Sequence, residues 1–182
     1  MKVFLRICEE DYAYFLKIAA FIQKLTGKQP TIRKKKEYNG QSLRLEINNK
    51  KFIESLLKIG IPSGNKTFSI FIPNKLAKWK YSKHIIRGIF ETDGCIYFSK
   101  SKKSEYPTYP RIEIKTSSNR LLPQIIGLLK ERGFKTYCKK SNKTHSITIS
   151  GEEMLQKWIK EIGFNNERNI SKYNFWKKDT VN

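Results

Sequence analysis

The stretch His84-Ile85-Ile86-Arg87-Gly88-Ile89-Phe90-Glu91-Thr92-Asp93-Gly94 (HIIRGIFETDG), running into Cys95-Ile96-Tyr97-Phe98, decides how the rest of the chain is read. Its spacing predicts a helix followed at once by a strand. Ser82 can cap the helix start. Ile86 and Phe90 form one apolar side, and Ile85, Gly88, Ile89 and Thr92 share a neighbouring face. Gly88 and Thr92 are small and four apart, so a second helix backbone can approach closely there. Arg87 and Glu91 are expected to pair on the outside as an i, i+4 couple. Gly94 is expected in the left-handed conformation that ends many helices, which leaves Asp93 in the last turn. A carboxylate there opposes the helix dipole by roughly 0.5 kcal/mol. It asks for a compensating cation: a lysine, or a hard ion such as Mg²⁺ that takes one or two carboxylates together with phosphate oxygens.

Moving outward, two segments repeat one order of elements. The first has a strand Val3-Phe4-Leu5-Arg6-Ile7 and a helix from Asp11 to Thr26 with Phe15, Ile18, Ala19, Ile22 and Leu25 on one face, stopped by Gly27. A hairpin follows, Thr31 to Lys36 and Ser42 to Ile47 around Asn39-Gly40, and then a helix from Lys50 to Ile59. The second has a strand Arg111 to Lys115 and a helix Asn119 to Arg132 built on Leu121, Leu122, Ile125, Leu128 and Leu129. Its hairpin, Lys135 to Lys140 and Ser146 to Ile149, turns through Ser141-Asn142-Lys143, and a helix Glu152 to Ile162 ends it. Only the second segment is preceded by the HIIRGIFETDG helix and its strand. The expected division is an incomplete repeat over 1–66, a connector over 67–81 and a complete repeat over 82–182.

The hairpins alternate. With Ile32, Leu43, Leu45 and Ile47 inward, Arg33, Lys35 and Arg44 point out; with Cys138, Ile147 and Ile149 inward, Lys135, Tyr137 and Lys139 point out. Tyr97, Arg111, Glu113 and Lys115 on the adjoining strands complete a candidate nucleic-acid surface. Lys and Arg number 37 against 16 Asp and Glu, a net charge of +21 spread along 182 residues, so the expected partner is polyanionic. There is no run of ~18 apolar residues that would span a membrane. Cys8, Cys95 and Cys138 lack zinc-site spacing and are odd in number, which suggests a reducing, intracellular compartment, cytoplasmic or an organellar matrix.

Ile86 to Gly94 resembles the signature of the LAGLIDADG homing endonucleases: apolar, variable, Gly, two apolar, acidic, small, Asp, Gly. The order of elements in the second segment is similar to that family's αββαββα unit. Gly60 to Lys66 with Phe71-Ile72-Pro73, and Ile162 to Arg168 running into Ser171-Lys172-Tyr173, also look familial. The resemblance implies an α+β fold of two such repeats with saddle-like antiparallel sheets, the N-terminal one truncated. It implies a sequence-specific double-stranded DNA endonuclease using Mg²⁺ or Mn²⁺, with Asp93 as metal ligand and Lys66 and Lys172 as catalytic lysines. The departure is that the family pairs two motif helices and this chain has one. Three readings stay open: a homodimer through the 85–92 helix face, a polypeptide that extends upstream, or a non-cleaving relative that binds DNA or structured intron RNA, as a maturase or transcription regulator would.

Overall fold

The computed structural model describes residues 3–37, 40–64, 67–100 and 106–181, with the backbone alone for 7–9, 35–37, 40, 41 and 179–181. The chain forms two compact units, one running to Gly60 and taking in Asn166–Arg168, the other comprising Ile61–Asn165 and the chain from Asn169 onward.

In the first unit, strand β1 (Val3–Cys8) and a single 3-10 turn lead into helix α1 (Tyr12–Thr26), hairpin β2 (Thr31–Glu37) and β3 (Gly40–Ile47), and helix α2 (Lys50–Lys58). The sheet is antiparallel in the order β1-β3-β2. Gly27, expected to stop α1, takes φ +67° and ends the helix in the left-handed conformation. Tyr14, Phe15, Ala19 and Ile22 of α1 pack on Leu43, Leu45 and Ile47 of β3. Leu25, expected on this face, is 57% exposed instead. It lies in the last turn of α1, beyond Ile22, the last α1 residue buried against β3. Asp11 is buried because it is answered: Asn166 Nδ2 donates to it at 2.7 Å and Arg168 Nη2 lies 3.3 Å away.

The second unit opens with an irregular stretch and continues through α3 (Trp79–Asp93), β4 (Gly94–Ser99), β5 (Tyr109–Thr116), α4 (Leu121–Glu131), β6 (Thr136–Ser141), β7 (Thr144–Ser150), α5 (Glu152–Glu161) and most of α6 (Glu167–Val181). Its sheet runs β4-β5-β7-β6, antiparallel throughout. Asn142, at φ +53°, forms the hairpin tip. Ile86 and Phe90 from α3 meet Ile96, Ile112, Ile114, Ile147 and Ile149 from the sheet and Ile125, Leu129 and Trp158 from the other helices. Phe90 stands edge-on to Trp158 at 5.2 Å and stacks with Phe164 at 5.3 Å. Each such side chain contributes roughly 1.5–3 kcal/mol by leaving water. Cys138, expected inward, is exposed. It pairs with buried Ile147, but on the edge strand β6, where little covers it. Among the described residues no helix is long and apolar enough to cross a membrane.

Candidate functional site

The helix-to-strand junction differs from its sequence reading in three respects, each with a physical cause. First, α3 begins at Trp79, so Ser82 lies inside it and is fully buried rather than capping it. Second, Glu91 is buried instead of paired on the outside: it accepts hydrogen bonds from the Asn165 backbone N–H (2.6 Å) and from Asn169 Nδ2 (2.7 Å). Arg87 reaches the Ile162 carbonyl at 3.1 Å and His84 Nδ1 at 3.0 Å. Burial, then the charges of Arg87 and Lys83, hold the His84 pKa below its ordinary value.

Third, Gly94 is extended, with φ −124° and ψ 175°, and not left-handed. It is the first residue of β4. A Cβ there would sit 2.6 Å from the Glu113 carbonyl oxygen and 2.8 Å from that of Phe90. The glycine is needed for close approach of β5 and of α3's own last turn. Helix therefore passes into strand with no loop, and Asp93 is held, exposed, at the corner. Thr92 Oγ1 donates to Asp93 Oδ2 at 3.2 Å.

Asp93 lines a cleft of about 640 Å³ together with Ile89, Thr92, Lys115, Ser117 and Thr144. Among the described residues the lining offers one carboxylate, one ammonium and several hydroxyls. Lys115 Nζ lies 3.2 Å from Glu113 Oε1, and that hydrogen bond, with the carboxylate's charge, raises the lysine pKa above its ordinary value. Among the described residues no three His, Cys, Asp or Glu side chains converge to hold a metal ion. Asp93 thus fits a divalent ion in part, supplying one ligand of a site that phosphate, water or a second acid would have to complete. Lys66 lies outside the described residues. Lys172, on α6, lines a different cavity and is not brought to the Asp93 cleft.

The sheet of the second unit gathers most of the other candidates on the face away from its helices. Register places Tyr97 beside Arg111 and Ser150, then Cys95, Glu113, Thr148 and Tyr137, then Lys115, Ser146 and Lys139. Arg111 is braced by Ser99 Oγ at 2.9 Å and sits over the Tyr109 ring. Burial, then the nearby Glu113 charge, raises the Tyr97 pKa. Lys135 precedes β6 and points its ammonium toward Glu153 at 3.9 Å, off the strand expected to carry it.

In the first unit Arg33 and Arg44 are direct cross-strand neighbours, and Arg6 continues the same row on β1. Lys35 lies two residues along β2, with its side chain outside the described set. Three arginines abreast are mutually repulsive. Glu46 is 3.6 Å from Arg33 and 3.7 Å from Arg44, and Arg44 packs over the Phe4 ring at 3.5 Å. Sequence reading missed Arg6, although the alternation of Phe4 and Arg6 with Val3 and Leu5 was the available signal. Only the register of β1 against β3 puts it in the row.

A family model described as a LAGLIDADG-like domain matches residues 81–163, a span that begins within α3 and ends just after α5. This stretch is a LAGLIDADG-like domain. The likeness of fold extends to nearly the whole chain. The homing endonuclease I-WcaI, solved bound to its DNA recognition sequence, superposes with a TM-score of 0.64 over 91% of this chain and 72% of its own, at 14% identity. I-DmoI, solved with DNA and Mn, gives 0.55 over 91% and 82% at 14% identity. The N-terminal LAGLIDADG domain of DUF199/WhiA gives 0.57 over 90% and 74% at 10% identity. At these identities the likeness is one of fold. No curated protein sequence matches the chain.

Proposed function

We propose that this LAGLIDADG protein binds double-stranded DNA across its basic sheet faces and hydrolyses it at the Asp93 cleft when a second acid completes the site. The observation that carries the reading is the in-register row Arg6, Arg44 and Arg33, with Glu46 as the carboxylate at ion-pair distance from two of them. Such a row sets cations abreast across the sheet, an arrangement suited to successive phosphates of a strand. The solved neighbours I-WcaI and I-DmoI are described with DNA, and I-DmoI also with Mn, which supports a duplex partner and a divalent ion.

A bound Mg²⁺ or Mn²⁺ would lower the pKa of an attacking water and neutralise charge on the phosphate. Asp93 would hold it, and Lys115, which lines the same cleft, would meet the phosphate. The second acid would come from another copy docked through Ile85, Gly88, Ile89 and Thr92. A Cβ at Gly88 would meet nothing within 4 Å, so that face has room for a helix backbone.

The test selects bound sequences from a random duplex pool, then offers them in a plasmid with Mg²⁺. Linearisation by the wild type, lost to background in Asp93→Asn with binding retained, is the expected result. A second reading, duplex or intron-RNA binding without cleavage, is favoured by the single acid and by the WhiA likeness. It holds if metal and the selected site give no product and Asp93→Asn binds as wild type.

A further inference from the structure

A second cavity, of about 1070 Å³, shares no lining residue with the Asp93 cleft. Tyr97 and Phe98 come from the edge strand β4, Tyr106 from the segment before β5, and Phe175 and Trp176 from α6. One wall is fixed: Trp176 stacks on Phe98 with centroids 5.8 Å apart and planes 6° from parallel, and its indole N–H donates to the Thr108 carbonyl at 2.7 Å. At the mouth, Tyr106 and Phe175 are 73% and 69% exposed. Among the described residues the charged side chain of the lining is Lys172, and none of them places a carboxylate at ion-pair distance from it. Tyr97 also belongs to the open sheet face, in register with Arg111, so the cavity opens at the margin of the surface assigned above to DNA.

We propose that this cavity holds an unpaired nucleotide, its base stacked on the aromatic rings and its phosphate on the Lys172 ammonium. The inference rests on the nucleic-acid reading and adds a site for single-stranded substrate beside the duplex surface. Flat rings kept in water suit the π face that every base presents, and an adjacent ammonium suits the phosphate that accompanies it. An anionic guest suits the Lys172 ammonium better than a purely apolar one, which would only desolvate it.

The experiment measures fluorescence anisotropy of the full chain with three probes: labelled oligo-dT, a sugar-phosphate strand of the same length without bases, and a random-sequence duplex. The wild type is expected to bind oligo-dT roughly tenfold tighter than the abasic strand. Phe175→Ala and Tyr106→Ala, both at exposed rings, are expected to erase that difference and leave the other two probes unaffected. Equal binding of oligo-dT and the abasic strand by the wild type, or no effect of either substitution, overturns this inference and spares the duplex reading. Failure to bind the duplex overturns that reading and this one with it. If the wild type dimerises in sedimentation, Phe175→Ala is monomeric and oligo-dT does not compete, the cavity is a self-association surface and the inference falls.

Discussion

The two repeats follow one plan and differ at one end. β1, α1, β2, β3 and α2 succeed one another as β5, α4, β6, β7 and α5 do, and the strand orders β1-β3-β2 and β5-β7-β6 coincide. The second repeat adds α3 and β4, and with them Ile86, Phe90, Ile96 and Asp93. A three-stranded sheet with one helix over it is thus enough to present a basic face, and the first repeat presents the denser one, with three arginines abreast. The acid requires the additional pair, because Asp93 is placed by the direct passage of α3 into β4. In this chain the surface suited to phosphates and the carboxylate suited to chemistry are separable features.

The largest effect should come from breaking the larger core. Trp158 is fully buried between Phe90 and Phe134, and Trp158→Ala is expected to remove about 4 kcal/mol from the second unit. Hydrogen exchange should then show β5 and β7 losing protection while β3 keeps it. Leu45→Ala, at about 3 kcal/mol, should give the converse pattern. Loss of protection in both sheets from either substitution would mean that the two cores unfold as one.

The two glycines of the motif sharpen the contrast within a single helix. Gly94→Ala forces a Cβ against backbone oxygens and is expected to destabilise by about 2 kcal/mol, read as a lowered urea midpoint. Gly88→Ala meets open space, and at a helical position it should stabilise the monomer by up to about 1 kcal/mol. If instead Gly88→Ala weakens cleavage while raising the midpoint, the face is being used by a second helix.

Much of this was legible in the sequence because two periodicities, near four for helices and two for strands, are set by local geometry. The hairpins, the repeat and the outward faces of the sheets follow from them. What failed depended on distant neighbours. A glycine that permits positive φ and a glycine that permits close approach look the same in sequence, and Gly94 proved to be the second kind. Glu91 reads as an exposed acid until Asn165 and Asn169, over seventy residues away, are found holding it. Arg6 gains its meaning from cross-strand register, and the surroundings of Lys172 are assembled from three separate segments.

If both repeats engage the duplex, Arg44→Ala and Arg111→Ala should each weaken binding and each reduce the log–log salt slope by about one. Titrations of a random duplex at several salt concentrations read both quantities. An unchanged slope in Arg44→Ala would confine the DNA surface to the complete repeat and leave the arginine row unexplained.

The smallest effect separates equivalent helices. On α2, Glu54 lies 3.9 Å from Lys50 and is half exposed, an arrangement worth a few tenths of a kcal/mol at most. On α5, Glu161 is largely buried, 2.7 Å from Lys157 and 3.0 Å from Arg132. Burial alone would raise its pKa, but the hydrogen bonds from Lys157 and Arg132 outweigh it and bring the value below the ordinary 4.5. A carboxyl depressed in the folded state adds stability above its unfolded pKa and loses it as pH falls through the folded one. The wild type should therefore weaken on acidification from about pH 5 downward, and Glu161→Gln should flatten that part of the curve. Glu54→Gln should change the stability read from the urea midpoint at neutral pH by a few tenths of a kcal/mol at most. An identical acid limb in Glu161→Gln and wild type would place the acid sensitivity outside the Glu161, Lys157 and Arg132 cluster.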